Sequence, residues 1–316
     1  MREKHIVPGY LHRPERRMIF GRKNKQQLED NPTSAYVAGE EVELQWIDRE
    51  REIPNRTKLF HEAVDGMAEH GDWNNLPSLL TGLKHSGAKL EEKAMAKIVR
   101  KAVSAGKIGI VVQCLQQAEN TGMTLQIEEV LQHVVWGLHS TAQQDGWSEE
   151  ATLKALKAAN QVSLLLERDE HGGGRALRPN DPRMRPEVVA VFLELASVYA
   201  YQYQGSKDTD GKVKTYASRL ISCLEAHPPA AQPSGFAPRK AGPQLEMLHG
   251  VPIWHGLQLS SKILGKEWPR PDLASKVRND YEAGLKILAE AIQAQGAKGG
   301  SYGEQAVRCW RDCIRE

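Results

Sequence analysis

The feature that most constrains this chain is a stretch that is written twice at a spacing of 35 residues. Gly71 returns as Gly106, Leu80 as Leu115, Gly87 as Gly122 and Leu90 as Leu125. Between the glycines the apolar residues keep helical spacing. Leu59, Phe60, Ala63, Val64 and Met67 form one face, and Leu76, Leu79, Leu80 and Leu83 the next. Met95, Ile98, Val99, Ala102 and Val103 follow, then Ile110, Val111, Cys114, Leu115 and Ala118. Apolar positions at i, i+3, i+4 and i+7 line one side of a helix, so four amphipathic helices are predicted. Each run stops at Gly71, Gly87, Gly106 or Gly122, the residue type that takes the left-handed cap at least cost. Short linkers make neighbouring helices antiparallel. Such a pair cannot bury its apolar face alone, so pairs stack and share a core.

Helical patterning runs on to the C-terminus. Ile127 to Ala142 is one helix, and Ser148 caps another that carries Glu149 and Glu150 in its first turn, where the helix dipole favours acids. Residues 169–186 hold three consecutive glycines and three prolines and read as a linker. Further helices are predicted over Glu187–Tyr203, Lys212–Ala226, Ile253–Leu264, Asp272–Gln295 and Tyr302–Ile314. Residues 227–252 carry six prolines and read as a long loop. The predicted class is all-α, a helical-hairpin repeat of solenoid type over 58–168 and a C-terminal helical region over 187–316.

Residues 1–57 differ from the rest. Pro8, Pro14, Pro32 and Pro54 punctuate them and no helical period develops, so an extended arm is expected, with a short strand or turn near Val42 to Ile47. Net charge over the whole chain is only +2, but it is unevenly spread. Residues 1–25 carry eight basic side chains against Glu3 and Glu15, hence +6; residues 26–57 carry three against eight acids, hence −5. A basic segment on a balanced body points to a polyanionic partner. Arg13, Arg16, Arg17, Arg22, Lys23 and Lys25 are interleaved with Tyr10 and Phe20, which suits phosphate contact and base stacking. Lys93, Lys97, Arg100 and Lys101 share one face of a predicted helix and form a second candidate stripe.

The turn Ala105-Gly106-Lys107 and the exit Asn120-Thr121-Gly122-Met123-Thr124-Leu125 carry a family likeness. With the 35-residue period they resemble the pentatricopeptide repeat, well over 58–127 and loosely to about 168. That resemblance implies an organellar protein that binds RNA. Modular readers of this family select one base per repeat with polar side chains at the fifth and last positions. Here those positions fall on Glu62 and Glu92 in the first copy and on Lys97 and Ile127 in the second. Neither pair matches the Asn, Ser or Thr followed by Asp or Asn that readers use, so the likeness supports shape more than base selection.

Enzymatic motifs fail in context. Gly299-Gly300-Ser301-Tyr302-Gly303 matches G-x-S-x-G, but a helix precedes it and no histidine follows Ser301. His61-Glu62 starts like a zincin motif, but residue 65 is aspartate. Gly172–Gly174 lacks the strand and the Lys-Ser/Thr of a phosphate loop. Cys309 and Cys313 stand one helical turn apart, with no second pair or neighbouring histidine in the sequence to complete a zinc site. Four cysteines in 316 residues fit a reduced compartment. No apolar run reaches the roughly 18 residues that span a bilayer. The N-terminus has no apolar h-region, and Pro8, Gly9 and Pro14 interrupt a transit-type helix.

The resemblance, taken with the basic N-terminal segment, implies a non-enzymatic helical-repeat component of a fungal-type mitochondrial ribosome, in the matrix, with no cofactor and no metal. Its partners would be rRNA and mitochondrial ribosomal proteins. Two other readings are a free pentatricopeptide factor acting on mitochondrial mRNA and a tetratricopeptide-like scaffold for proteins.

Overall fold

The chain forms two units, Met1–Val130 and Leu131–Glu316. The computed structural model describes all residues except 1, 38, 50, 53–55, 88–89, 175, 178–180, 227–241, 295–301 and 315–316.

The first unit opens with a π-helical turn, Arg2–Ile6, that leads into α1 (Val7–Tyr10). Then come α2 (Arg13–Phe20), α3 (Lys25–Asp30) and an antiparallel hairpin of β1 (Thr33–Val37) with β2 (Glu40–Leu44). Thr33 pairs with Leu44 and Val37 with Glu40. The extended arm expected over 1–57 is thus corrected: its described residues are mostly folded. Pro8 and Pro14 sit in the first turns of α1 and α2, where a missing N–H costs nothing, so they start helices instead of breaking them. The Glu15 carboxylate accepts the His12 backbone N–H at 2.6 Å, which closes the first turn of α2. Each short element gives one or two apolar residues to a small core of Val7, Leu11, Ile19, Leu28, Ala35, Val37, Leu44 and Ile47. The Ile47 N–H donates to the Ile19 carbonyl at 2.8 Å, and the Trp46 indole donates to the Gly21 carbonyl at 3.1 Å. The strand near Val42 exists, and it pairs with a strand the sequence did not reveal.

α1 packs on α5 (Leu76–His85) through a close approach at a glycine. A Cβ on Gly9 would lie 2.3 Å from Ser86 Cα, a backbone atom that cannot swing aside. Gly9→Ala is therefore expected to destabilise the first unit by about 1–3 kcal/mol, read as a lower urea midpoint. An unchanged midpoint would mean that α1 does not seat there.

The repeated stretch forms α4 (Arg56–His70), α5, α6 (Glu92–Ser104) and α7 (Ile108–Gln116), with a short α8 (Ala118–Thr121). Gly71, Gly87, Gly106 and Gly122 have φ of 76°, 75°, 69° and 74°, the left-handed stops that the repeat predicts. α4 packs on α6, α5 on α7, and α6 on α7.

The second unit holds most of α9 (Glu128–Gln143), then α10 (Glu149–Leu165), α11 (Pro186–Tyr203) and α12 (Lys212–Ala226). It ends with α13 (Pro243–Leu264), α14 (Pro271–Ala294) and α15 (Tyr302–Ile314). The Ser148 hydroxyl accepts the Ala151 N–H at 3.4 Å, the predicted cap of α10. The unit boundary falls inside 58–168, the stretch read as one run of repeats. α11 and α13 are central: α11 packs on α10, α12 and α13, and α13 packs on α12, α14 and α15. Their sequences show why. Apart from Glu194 and Ser197, α11 is apolar around its circumference from Val188 to Val198, the composition of a helix buried on every side. Gly256 of α13 lets the two backbones approach, since a Cβ there would sit 3.2 Å from the Glu194 nitrogen.

Two segments differ from expectation. Residues 243–252, read as loop, are the first half of α13, because Pro243 occupies a first-turn position and the helix tolerates Pro252 inside it. The rest of that predicted loop, 227–241, lies outside the described residues. The described part of 169–186 is pinned rather than loose. Arg183 is buried there, 2.7 Å from Asp181 and 2.8 Å from Glu167, and it donates to the Gly173 and Gly174 carbonyls. Among the described residues no helix is long and apolar enough to cross a membrane.

Candidate functional site

The first candidate is cationic. Arg13, Arg16 and Arg17 lie on α2, Arg22 and Lys23 in a 3-10 turn, and Lys25 at the start of α3; all six are exposed. They stand on a folded base, not on a free tail. The Arg16 guanidinium donates to the Gly9 carbonyl at 2.6 Å, and Lys25 Nζ sits 5.1 Å over the Trp46 ring. On α6, Lys93 and Arg100 are exposed, while Lys97 and Lys101 are half-buried. Lys101 pairs with Asp65, so part of its charge is already met within the fold. Burial, then Lys97 and Lys101, lower the pKa of His61, which places both lysines near that ring. Of the reader positions, Glu62 faces Lys58 at 3.9 Å on an exposed surface.

The second candidate is internal, and the sequence did not reveal it. Five buried side chains from four helices meet inside the second unit: His139 of α9, Glu194 of α11, His255 of α13, and Cys309 and Cys313 of α15. His139 Nδ1 lies 2.6 Å from Glu194 Oε2, and His139 Nε2 lies 3.0 Å from Cys309 Sγ. His255 Nδ1 lies 2.8 Å from the other carboxylate oxygen. Burial alone would raise the Glu194 carboxyl, but His139 and the hydrogen bonds from both imidazoles outweigh it and hold it at about 2. Burial opposes the His139 charge, yet Cys309 and Glu194 raise its pKa well above the ordinary value. Burial would likewise raise the Cys309 thiol, but Cys313 and His139 bring it down to about 6. His139 thus bridges the Glu194 carboxylate on one side and the Cys309 sulfur on the other.

Trp147 frames this cluster. Its ring meets His139 edge-on at 5.5 Å and His255 at 5.3 Å. Its backbone is left-handed, φ 57°, which costs a side chain of this size about 1–2 kcal/mol. The Tyr203 hydroxyl helps to hold it by donating to the Trp147 carbonyl at 2.6 Å. The expectation that no histidine stands near Cys309 is overturned here. His139 is 170 residues away in the chain, and only the packing of α9 against α15 brings the two together. The G-x-S-x-G serine, Ser301, lies outside the described residues.

The family model described as mitochondrial ribosomal protein mS27 matches residues 1–312. The chain belongs to this family. Among curated proteins, the small ribosomal subunit protein mS27 of Neurospora crassa is 31% identical over 238 residues, covering 70% of this chain and 60% of that protein. The chain thus spans under two thirds of that relative's length. Family membership puts the chain among mitochondrial ribosomal proteins, as the sequence led one to expect, and so in the mitochondrial matrix. The match runs through both units, so neither is an addition foreign to the family.

Proposed function

We propose that this protein is a non-enzymatic structural component of the mitochondrial small ribosomal subunit. It binds rRNA phosphates through the exposed basic side chains of its N-terminal region and neighbouring proteins through its helical surfaces. The observation that carries this reading is the family match over residues 1–312, with the named relative assigned to the small subunit. Charge supports the RNA contact. Arg13, Arg16, Arg17, Arg22, Lys23 and Lys25 are exposed within 13 residues of chain, on helices fixed by a buried core. Arginine forks on a rigid base grip phosphate bidentately with less ordering cost than on a free tail. On α6, Lys93 and Arg100 extend the same chemistry, and Lys97 and Lys101 contribute less because the fold partly uses them.

The pairing of α4 with α6 and of α5 with α7 supports reading 58–127 as two stacked pentatricopeptide-like hairpins. Glu62 and Glu92 would repel a phosphate backbone, so this stack serves docking and shape, not base selection. Ultraviolet crosslinking of intact mitochondrial small subunits tests the RNA assignment. Peptides within residues 13–25 should carry rRNA nucleotides. Crosslinks confined to other parts of the chain would remove the N-terminal residues from the interface.

A further inference from the structure

The interior of the second unit gathers more metal-binding chemistry than packing requires. Glu194, His255 and Cys313 each offer one donor atom, and these three atoms lie within 4.8 Å of one another. Cys309 stands one turn before Cys313 on α15, with its sulfur 3.0 Å from His139 Nε2. All five side chains are buried. Ionisable groups in a core stabilise it less than well-packed apolar residues of similar volume, so such a set calls for a reason. Two sulfurs, an imidazole and a carboxylate are a zinc-type donor set, whereas magnesium and calcium take oxygen ligands. Zinc bonds sulfur at about 2.3 Å and nitrogen or oxygen at about 2.0–2.2 Å in a tetrahedron. Neighbouring donors then stand about 3.3–3.8 Å apart, and the Glu194, His255 and Cys313 atoms already lie within 4.8 Å of one another.

We propose that Glu194, His255, Cys309 and Cys313 hold a structural zinc ion, with His139 as the outer partner that orients Glu194 and Cys309. Each thiol gives its proton to solvent as its sulfur bonds the cation, and nothing is oxidised or reduced. A metal-bound imidazole or carboxylate is ordinarily steadied by a second hydrogen-bonding group, which is the position His139 occupies. The ion would tie α15 to α11 and α13, through two ligands on α15 and one on each of the others. A groove of about 680 Å³, bounded by Trp136, Val188, Leu245, Leu248 and Ile292, reaches His139, the outer partner.

The test is the metal content of the full chain, purified without chelator and without a metal-affinity step, then loaded with zinc and dialysed. About one zinc per chain is expected. Replacement by cobalt(II) should give the intense near-ultraviolet absorption of thiolate ligands. The double variant Cys309→Ser, Cys313→Ser should lose at least about tenfold of the bound zinc, and Cys114→Ser should keep it. A folded wild-type chain that retains less than about a tenth of an equivalent overturns the proposal, as does a cobalt spectrum without thiolate bands. Either outcome means that the cluster is a hydrogen-bonded network alone. Both readings use the wild-type chain, so they stand even if the double variant fails to fold.

Discussion

Glu194→Leu is expected to destabilise the second unit by about 3–5 kcal/mol, the cost of removing one member of a buried ionic group. The carboxylate has no exposure to water, and it accepts from His139 at 2.6 Å and from His255 at 2.8 Å. Leucine fills a similar volume, so little of the loss comes from a cavity. Most comes from two imidazoles left in a dry interior without their shared acceptor, where hydration cannot replace it. Urea unfolding followed by tryptophan fluorescence reads the effect, because Trp136, Trp147 and Trp254 all lie near the cluster. Glu194→Gln keeps one acceptor oxygen and should fall between the leucine variant and the wild type. A loss below about 1 kcal/mol for the leucine variant would mean that the network is dispensable to the fold.

The second large effect is electrostatic. Changing Arg13, Arg16, Arg17, Arg22, Lys23 and Lys25 together to glutamine removes six positive charges and leaves Val7, Leu11, Ile19 and Leu28 in place. Each phosphate that goes unneutralised flattens the dependence of log affinity on log salt by about 0.7–0.9. The six together should therefore flatten the slope for small-subunit rRNA by about 4–5. Circular dichroism should stay as in the wild type, since all six side chains are exposed. An unchanged salt slope would put the RNA interface elsewhere on the chain. Deleting residues 1–25 is a poorer experiment, because it also strips three residues from the small N-terminal core and confuses folding with charge.

What the sequence made legible follows from where its signals are local. The stops at Gly71, Gly87, Gly106 and Gly122 could be read because a left-handed cap is decided within a few residues. So could the start of α10 at Ser148. The N-terminal fold could not. Its core takes one or two residues from each of five short elements spread over Val7 to Ile47, and none of these is long enough to show a period. Prolines that read as breaks turned out to open α1, α2 and α13. The internal cluster was hidden for a different reason. Glu194 sits in an apolar run, and its partners are 55 and 61 residues away, so no spacing rule reaches them. Cys309 and Cys313 were visible as a pair, but their surroundings are set by tertiary packing alone. The six basic residues were legible as charge; their fixed base on α2 and α3 was not legible.

The most direct test of the central claim is sedimentation of the tagged full chain from mitochondrial lysate through a sucrose gradient at high salt. Co-migration with the small ribosomal subunit, in amounts equal to its other proteins, is expected. It should persist at salt concentrations that strip factors bound only through charge. A chain found at the top of the gradient, free of the subunit whether or not it binds RNA, would contradict the account.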